Sequence, residues 1–180
     1  QEYCHDCVAK QHNFKRGVAA FSYSQGMKKS MYAFKYNNRR EYAKYYASVI
    51  AKEFKDVIFS WNCEVLVPVP LHRRKLIKRG YNQAEILAKR LSEQLLIPMD
   101  NKILIRTRNT APLKELNEKE RITNLKSAFQ TDEIKLKYKR IILVDDIYTT
   151  GSTIDECAGT LLRNGAEEVY FITACIGRGF

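Results

Sequence analysis

Several features that would place the chain in a familiar class are missing. No apolar run in its 180 residues approaches the roughly 20 that a membrane-spanning helix needs, so no membrane span is expected. No signal peptide is visible. The Walker phosphate loop and the Gly-x-Gly-x-x-Gly dinucleotide fingerprint are both absent, which weakens nucleoside triphosphates and NAD as ligands. Internal repeats, low-complexity tracts and a linker long enough for a second full domain are absent too. Acidic residues are scarce: 20 Asp and Glu against 31 Lys and Arg leave a formal net charge of +11. That balance favours a polyanionic partner, whether nucleic acid, an anionic membrane or a phosphorylated ligand. A solvated basic surface satisfies it as well.

Cysteine is present in an odd number, five, and three of the five (Cys63, Cys157 and Cys175) fall in apolar segments. This argues for a reducing, cytoplasmic setting. The other two stand in Cys4-His5-Asp6-Cys7, half of a zinc knuckle. Tetrahedral zinc needs four ligands, there is no second close pair, and His5 and His12 are poorly spaced to replace one. The chain begins with Gln1 and opens in mid-motif, so a trimmed N-terminus is expected. Residues 1–13 then read as the remnant of an N-terminal zinc ribbon and residues 14–180 as the main domain. An apolar content of 45 % and a charged content of 28 % suit a soluble globular domain with one good core.

The most informative stretch runs from Arg140 to Leu162. Ile141 to Val144 is a β-branched, apolar run suited to a buried strand. Asp145 and Asp146 follow at its C-terminal end. Next comes a small hydroxyl-rich turn, Thr149-Thr150-Gly151-Ser152-Thr153. Ile154, Cys157, Ala158, Leu161 and Leu162 then recur at helical spacing. A strand, a glycine turn and a helix N-terminus make an anion site, because the first N–H groups of a helix lack intrahelical partners and face the positive end of its dipole. The paired carboxylates suit ribose hydroxyls or a magnesium ion that relieves their mutual repulsion.

The remaining segments alternate between strand and helix. Val18 to Tyr23 reads as a strand, and Met27 to Tyr36 and Arg39 to Phe54 as helices. On the second helix Tyr42, Tyr45, Tyr46, Val49 and Ile50 form an apolar stripe. Lys28, Lys29, Lys35, Arg39 and Arg40 are a candidate basic patch with interleaved aromatics, as single-stranded nucleic-acid sites require. A solvated helix face fits the same pattern. Val65 to Pro70 reads as a buried strand ended by prolines. Leu71, His72, Arg73, Arg74, Lys75, Lys78 and Arg79 follow as a basic loop that closes at Gly80. A helix with Ala84, Leu87, Ala88, Leu91 and Leu95 on one face comes next. Cations at the C-terminal end of a strand stand where open α/β sheets bind ligands, and a diphosphate is their natural counter-ion. Ile103 to Ile105 is a short strand, and Arg106 to Leu116 reads as a long mobile arm. Asn117 caps a helix over Glu118 to Leu125. Ser127 to Phe129 is a further short strand, and Glu168 to Ile176 the last one, reached through the helix stop Asn164-Gly165. This alternation predicts an α/β fold, a mainly parallel sheet with helices on both faces.

Asp145, Asp146, Thr150, Gly151 and Thr153 fit the phosphoribosyl-pyrophosphate (PRPP) loop of the type I phosphoribosyltransferases. A narrower resemblance spans nearly the whole chain. Val67-Pro68-Val69-Pro70-Leu71-His72-Arg73-Arg74, Arg79-Gly80-Tyr81-Asn82-Gln83-Ala84, the segment Arg106 to Phe129 and the PRPP loop together resemble the ComF family of bacterial competence proteins. Arg121 and Asn124 match that family's Arg-x-x-Asn. Its usual Thr-x-Pro-Gln is replaced here by Thr110-Ala111-Pro112-Leu113.

The resemblance implies a type I phosphoribosyltransferase fold with a small N-terminal hood and, at Cys4 and Cys7, a remnant zinc ribbon that would hold zinc in the full-length protein. It implies PRPP or ribose 5-phosphate as ligand, with Mg²⁺ held through PRPP at Asp145 and Asp146. It also implies a cytoplasmic role in uptake of transforming DNA, beside a DNA translocase at the inner face of the membrane. In a transferase Thr149 to Thr153 would hold the ribose phosphate, and Leu71, His72, Arg73 and Arg79 would meet pyrophosphate. Arg106 or Arg108 would close over it. Thr149 stands where purine transferases have an Asp that assists at the base, and no base-specificity segment follows the last strand. The sequence therefore supports ligand binding more strongly than turnover, with salvage of a nucleobase as the competing activity.

Overall fold

β-branched and aliphatic residues that alternate in direction build the centre of the molecule. The computed structural model describes residues 11–107, 128–131 and 136–177. Among these, the chain runs β1 (Gly17–Ser22), α1 (Gln25–Tyr36), α2 (Tyr42–Ser60), β2 (Val65–Pro68), α3 (Arg73–Arg79), α4 (Gln83–Leu95), β3 (Leu104–Arg106), β4 (Phe129–Thr131), β5 (Arg140–Tyr148), α5 (Ser152–Arg163) and β6 (Glu168–Ile176). Four strands form a parallel sheet in the order β1-β6-β5-β2, and β3 and β4 form a separate antiparallel pair. The β5–β6 register runs from Arg140 opposite Glu168 to Tyr148 opposite Ile176.

Because strand side chains alternate between faces, each strand supplies two cores. Val65, Val67, Ile141, Leu143, Val169 and Phe171 pack on one face with α5, β3 and β4. Leu66, Ile142, Val144, Tyr170 and Ile172 pack on the other with α1, α2 and α4. All of these strand residues are buried, as expected for a sheet covered on both sides. The sheet is the predicted mainly parallel one, and β6 spans the predicted residues.

The N-terminal hood is α1, held over the C-terminal ends of the strands. Met31 and Phe34 bury its inner face. The Ser30 and Tyr46 hydroxyls share a 2.6 Å hydrogen bond, and the Tyr81 hydroxyl donates to the Phe34 carbonyl. Across the boundary expected at residue 13, the chain packs directly on the body. Phe14 stands edge-on to Phe171 at 4.9 Å, and the Asn13 amide donates to Asp155 Oδ1 at 2.6 Å.

Three expectations change. The basic loop is largely a helix, α3, because His72 Nδ1 accepts from the Arg74 amide at its start and Gly80 ends it with φ 81°. The second helix begins at Tyr42, three residues late, after a connection in which Asn38 takes a left-handed φ of 56°, and it runs on to Ser60. Its stripe centres on Ala43, Tyr46, Ala47 and Ile50, while Tyr45 faces out at 61 % exposure. Finally, β5 continues through both aspartates to Tyr148 instead of ending at Val144. Most of the expected mobile arm, from Arg108 on, and the helix at Glu118 to Leu125 lie outside the described residues, as do Cys4 and Cys7.

A candidate phosphoribosyl-ligand crevice

The parallel sheet delivers its strand ends to one rim, where α/β proteins bind ligands. β5 continues as strand through Asp145 and Asp146, and the two carboxyl groups stay close enough to hydrogen-bond to each other at the crevice. Asp146 turns under the hood and pairs with Lys35 Nζ of α1. Both aspartates line the crevice, and Asp145 Oδ1 accepts from the Asp146 amide at 2.8 Å. Burial is the largest influence on both carboxyls and favours their neutral forms. Lys35 overrides it at Asp146, which is held below the ordinary carboxylate range. Asp145 is pushed well above that range by burial and then by the charge of Asp146. Burial works against the Lys35 cation, but Asp146 outweighs it and Lys35 stays firmly protonated.

The turn after β5 is the predicted glycine turn leading into a helix. Gly151 takes φ 72°, a region that favours glycine, and a Cβ there would meet the Tyr148 hydroxyl and lie 2.8 Å from Tyr148 Cζ. Tyr148 cannot yield, since it is buried and stacked on Phe171 at 4.9 Å. Gly151 is the N-cap of α5 without a side-chain cap, and the Thr150 and Ser152 hydroxyls meet at 2.9 Å beside it.

Lys75 and Arg79 of α3 and Arg106 of β3 line the same crevice. Arg79 donates to Gln83 Oε1 and lies 5.0 Å above the Tyr36 ring. Lys75 is pulled down by burial and then by the charges of Arg106 and Arg79. Arg106, 5.2 Å above the Phe129 ring, is pulled down by burial. Cations crowded in this way gain from any anion placed between them. The crevice has a volume of about 340 Å³, enough for one nucleotide-sized ligand.

The structure brings together Leu71, Arg79, Arg106, Asp145, Asp146, Thr149 and Thr153 around this space. It does not gather the whole predicted pyrophosphate set. His72 is used as the α3 cap, and Arg73 lines a neighbouring cavity of about 460 Å³ on the other side of Leu71. Arg108 lies outside the described residues. The predicted nucleic-acid patch also divides. Lys35 leaves it for Asp146, because helical periodicity turns that residue inward beside Phe34. Lys28 and Lys29 are exposed at the start of α1, whereas Arg40 stacks on Tyr81 at 4.5 Å beyond its end. The sequence reading missed Tyr23, Tyr36, Lys75 and Gln83 as crevice residues. Only Lys75 carried a signal, its place in the basic run.

Among the described residues no cluster of three or more His, Cys, Asp or Glu could hold a metal, and no helix is long and apolar enough to cross a membrane. The three described cysteines are free thiols, and burial pushes Cys63 and Cys175 up to about 12.

The sheet and its crevice define the class, a type I phosphoribosyltransferase domain, and residues 76–179 match the family described as phosphoribosyl transferase domain. Over 173 residues the chain is 31 % identical to Competence protein F of Haemophilus influenzae, covering 93 % of this chain and 76 % of that one. It is 32 % identical over 175 residues to DNA utilization protein YhgH of Escherichia coli, covering 96 % and 77 %. Competence protein ComFC of Bacillus subtilis is 30 % identical over 172 residues, covering 90 % and 67 %. The chain belongs to the ComF family. A solved purine phosphoribosyltransferase from Pyrococcus horikoshii is 19 % identical, with 73 % of this chain and 74 % of that one aligned at a TM-score of 0.46.

Proposed function

We propose that this protein binds PRPP or a ribose 5-phosphate together with single-stranded DNA, and acts in the uptake of transforming DNA. The observation that carries the reading is the polarity of the crevice. Asp145, Asp146, Thr149 and Thr153 share one lining with Lys75, Arg79 and Arg106. A ribose whose hydroxyls face the acidic pair, with a phosphate at the turn and a diphosphate among the cations, satisfies both sets at once. The names of the relatives, competence and DNA utilization proteins, support the wider role. On this reading the protein works in the cytoplasm beside a DNA translocase, and Cys4 and Cys7 contribute two of four ligands to structural zinc.

Magnesium fits the residues present. Asp145 and Asp146 both line the crevice, and Lys35 holds Asp146 ionised there. Mg²⁺ commonly takes one or two carboxylates and completes its shell from ligand phosphates and water, so the ion would arrive with PRPP. It would offset diphosphate charge, while Lys75, Arg79 and Arg106 bind and orient that group.

The same three cations favour a second reading, a salvage phosphoribosyltransferase, since they would stabilise departing pyrophosphate. Calorimetry with PRPP and Mg²⁺, followed by a pyrophosphate-release assay over a panel of bases, tests both. Saturable binding lost in Asp145→Asn and in Arg79→Gln is expected. No heat with either PRPP or ribose 5-phosphate would remove the ligand assignment. Turnover with any base would establish the transferase.

A further inference from the structure

One face of α1 runs out from the crevice at Tyr36 and carries two exposed tyrosines that the ribose-phosphate site leaves in water. Lys28, Tyr32 and Tyr36 recur every fourth residue and therefore share a face. Tyr32 and Tyr36 are 60 % and 59 % exposed, with ring centroids 5.0 Å apart. Two adjacent rings left in water beside lysines are what a stacking platform for unpaired bases requires. This face is continuous with the crevice, because Tyr36 is one of its walls. Arg79 joins the two, reaching over the Tyr36 ring while lining the same space.

We propose that the crevice receives the phosphorylated end of a single-stranded nucleic acid, with the terminal base on Tyr36 and the next base on Tyr32 towards Lys28. This rests on the reading of the crevice as a phosphoribosyl site. The crevice, at about 340 Å³, admits about one nucleotide, so a strand bound there must continue outside. The tyrosine face begins at that exit. A terminal phosphomonoester also carries about −1.5 to −2 charges, where an internal diester carries one. Lys75, Arg79 and Arg106 line one space, where burial and then the charges of Arg106 and Arg79 depress the Lys75 cation, so the three gain more from the doubly charged group. A strand end and PRPP then compete for the same cations.

Fluorescence anisotropy on the intact chain tests this with one single-stranded sequence in three forms: 5′-phosphorylated, 3′-phosphorylated and unphosphorylated at both ends. One phosphorylated form should bind on the order of tenfold more tightly than the unphosphorylated strand. Which form gains identifies the polarity. The gain should vanish in excess pyrophosphate, in Arg79→Gln and in Tyr36→Ala, and persist in Tyr36→Phe, which keeps the ring. Equal affinity for all three forms, or a gain indifferent to pyrophosphate, overturns the proposal. If calorimetric PRPP binding survives in that case, only the strand-end assignment has failed. If PRPP binding fails too, the underlying phosphoribosyl reading has failed with it.

Discussion

Asp145 and Asp146 are adjacent and chemically identical, yet the fold treats them in opposite ways. Asp146 is held ionised by Lys35 and so contributes stability above its ordinary value of 3.8, which is lost as pH falls through its depressed folded value. Asp145 is raised, so it favours the folded state only in acid, and that advantage is lost as pH climbs from 3.8 towards its folded value. Asp145→Asn should therefore raise Tm at neutral pH while weakening PRPP binding, and its gain should disappear in acid. Asp146→Asn should lower Tm at neutral pH by stranding Lys35. Melting curves of both variants across pH check the two signs, and equal shifts would contradict the assignment. At Gly151 the backbone and Tyr148 both exclude a side chain. Gly151→Ala should cost about 1–3 kcal/mol in denaturant unfolding and abolish phosphate binding.

At the scale of elements, α3 is the part most dependent on its ligand. It has seven residues, no acidic residue in its first turn, and Lys78 and Arg79 in its last. A helix this short is marginal alone, and Arg73, Arg74 and Lys75 repel one another at the end where the dipole is also positive. Its caps, His72 and Gly80, hold it in place without answering that charge. Amide exchange across Arg73–Arg79 should be fast in the free protein and slow when pyrophosphate is added. Exchange unchanged by pyrophosphate would place the anion elsewhere. The hood helix α1 is better secured, since Phe34 is fully buried and Tyr81 ties its carbonyl to the start of α4. Its inward face thus delivers Lys35 to Asp146, and its outward face remains available for a partner.

For the whole molecule, the net charge of +11 predicts a steep salt dependence of binding to single-stranded DNA. Log affinity against log salt should be linear, and removing one phosphate-contacting cation, as in Lys28→Gln, should reduce the slope by about 0.7. A slope near zero in the parent protein would mean that the charge serves only solubility.

Much of this architecture was legible in the residues. Strand β6, the helix after Gly151 and the buried faces of α1 and α4 follow from apolar periodicity, which is local. The acidic pair and the glycine turn were legible because they stand consecutively in the chain. The boundaries of α2 and α3 were not, since a left-handed Asn38 and a histidine cap act through geometry that composition does not encode. The rest of the crevice was only partly legible. Lys35, Tyr36, Lys75, Arg79 and Arg106 come from a hood helix, a short basic helix and a strand of the separate antiparallel pair. Sequence alone determined that a buried strand would carry two adjacent carboxylates and lead through a glycine turn into a helix. Tertiary structure decided how the two carboxyls differ, because only packing of α1 over the strand ends gives Asp146 its lysine, while burial and the charge of Asp146 push Asp145 up.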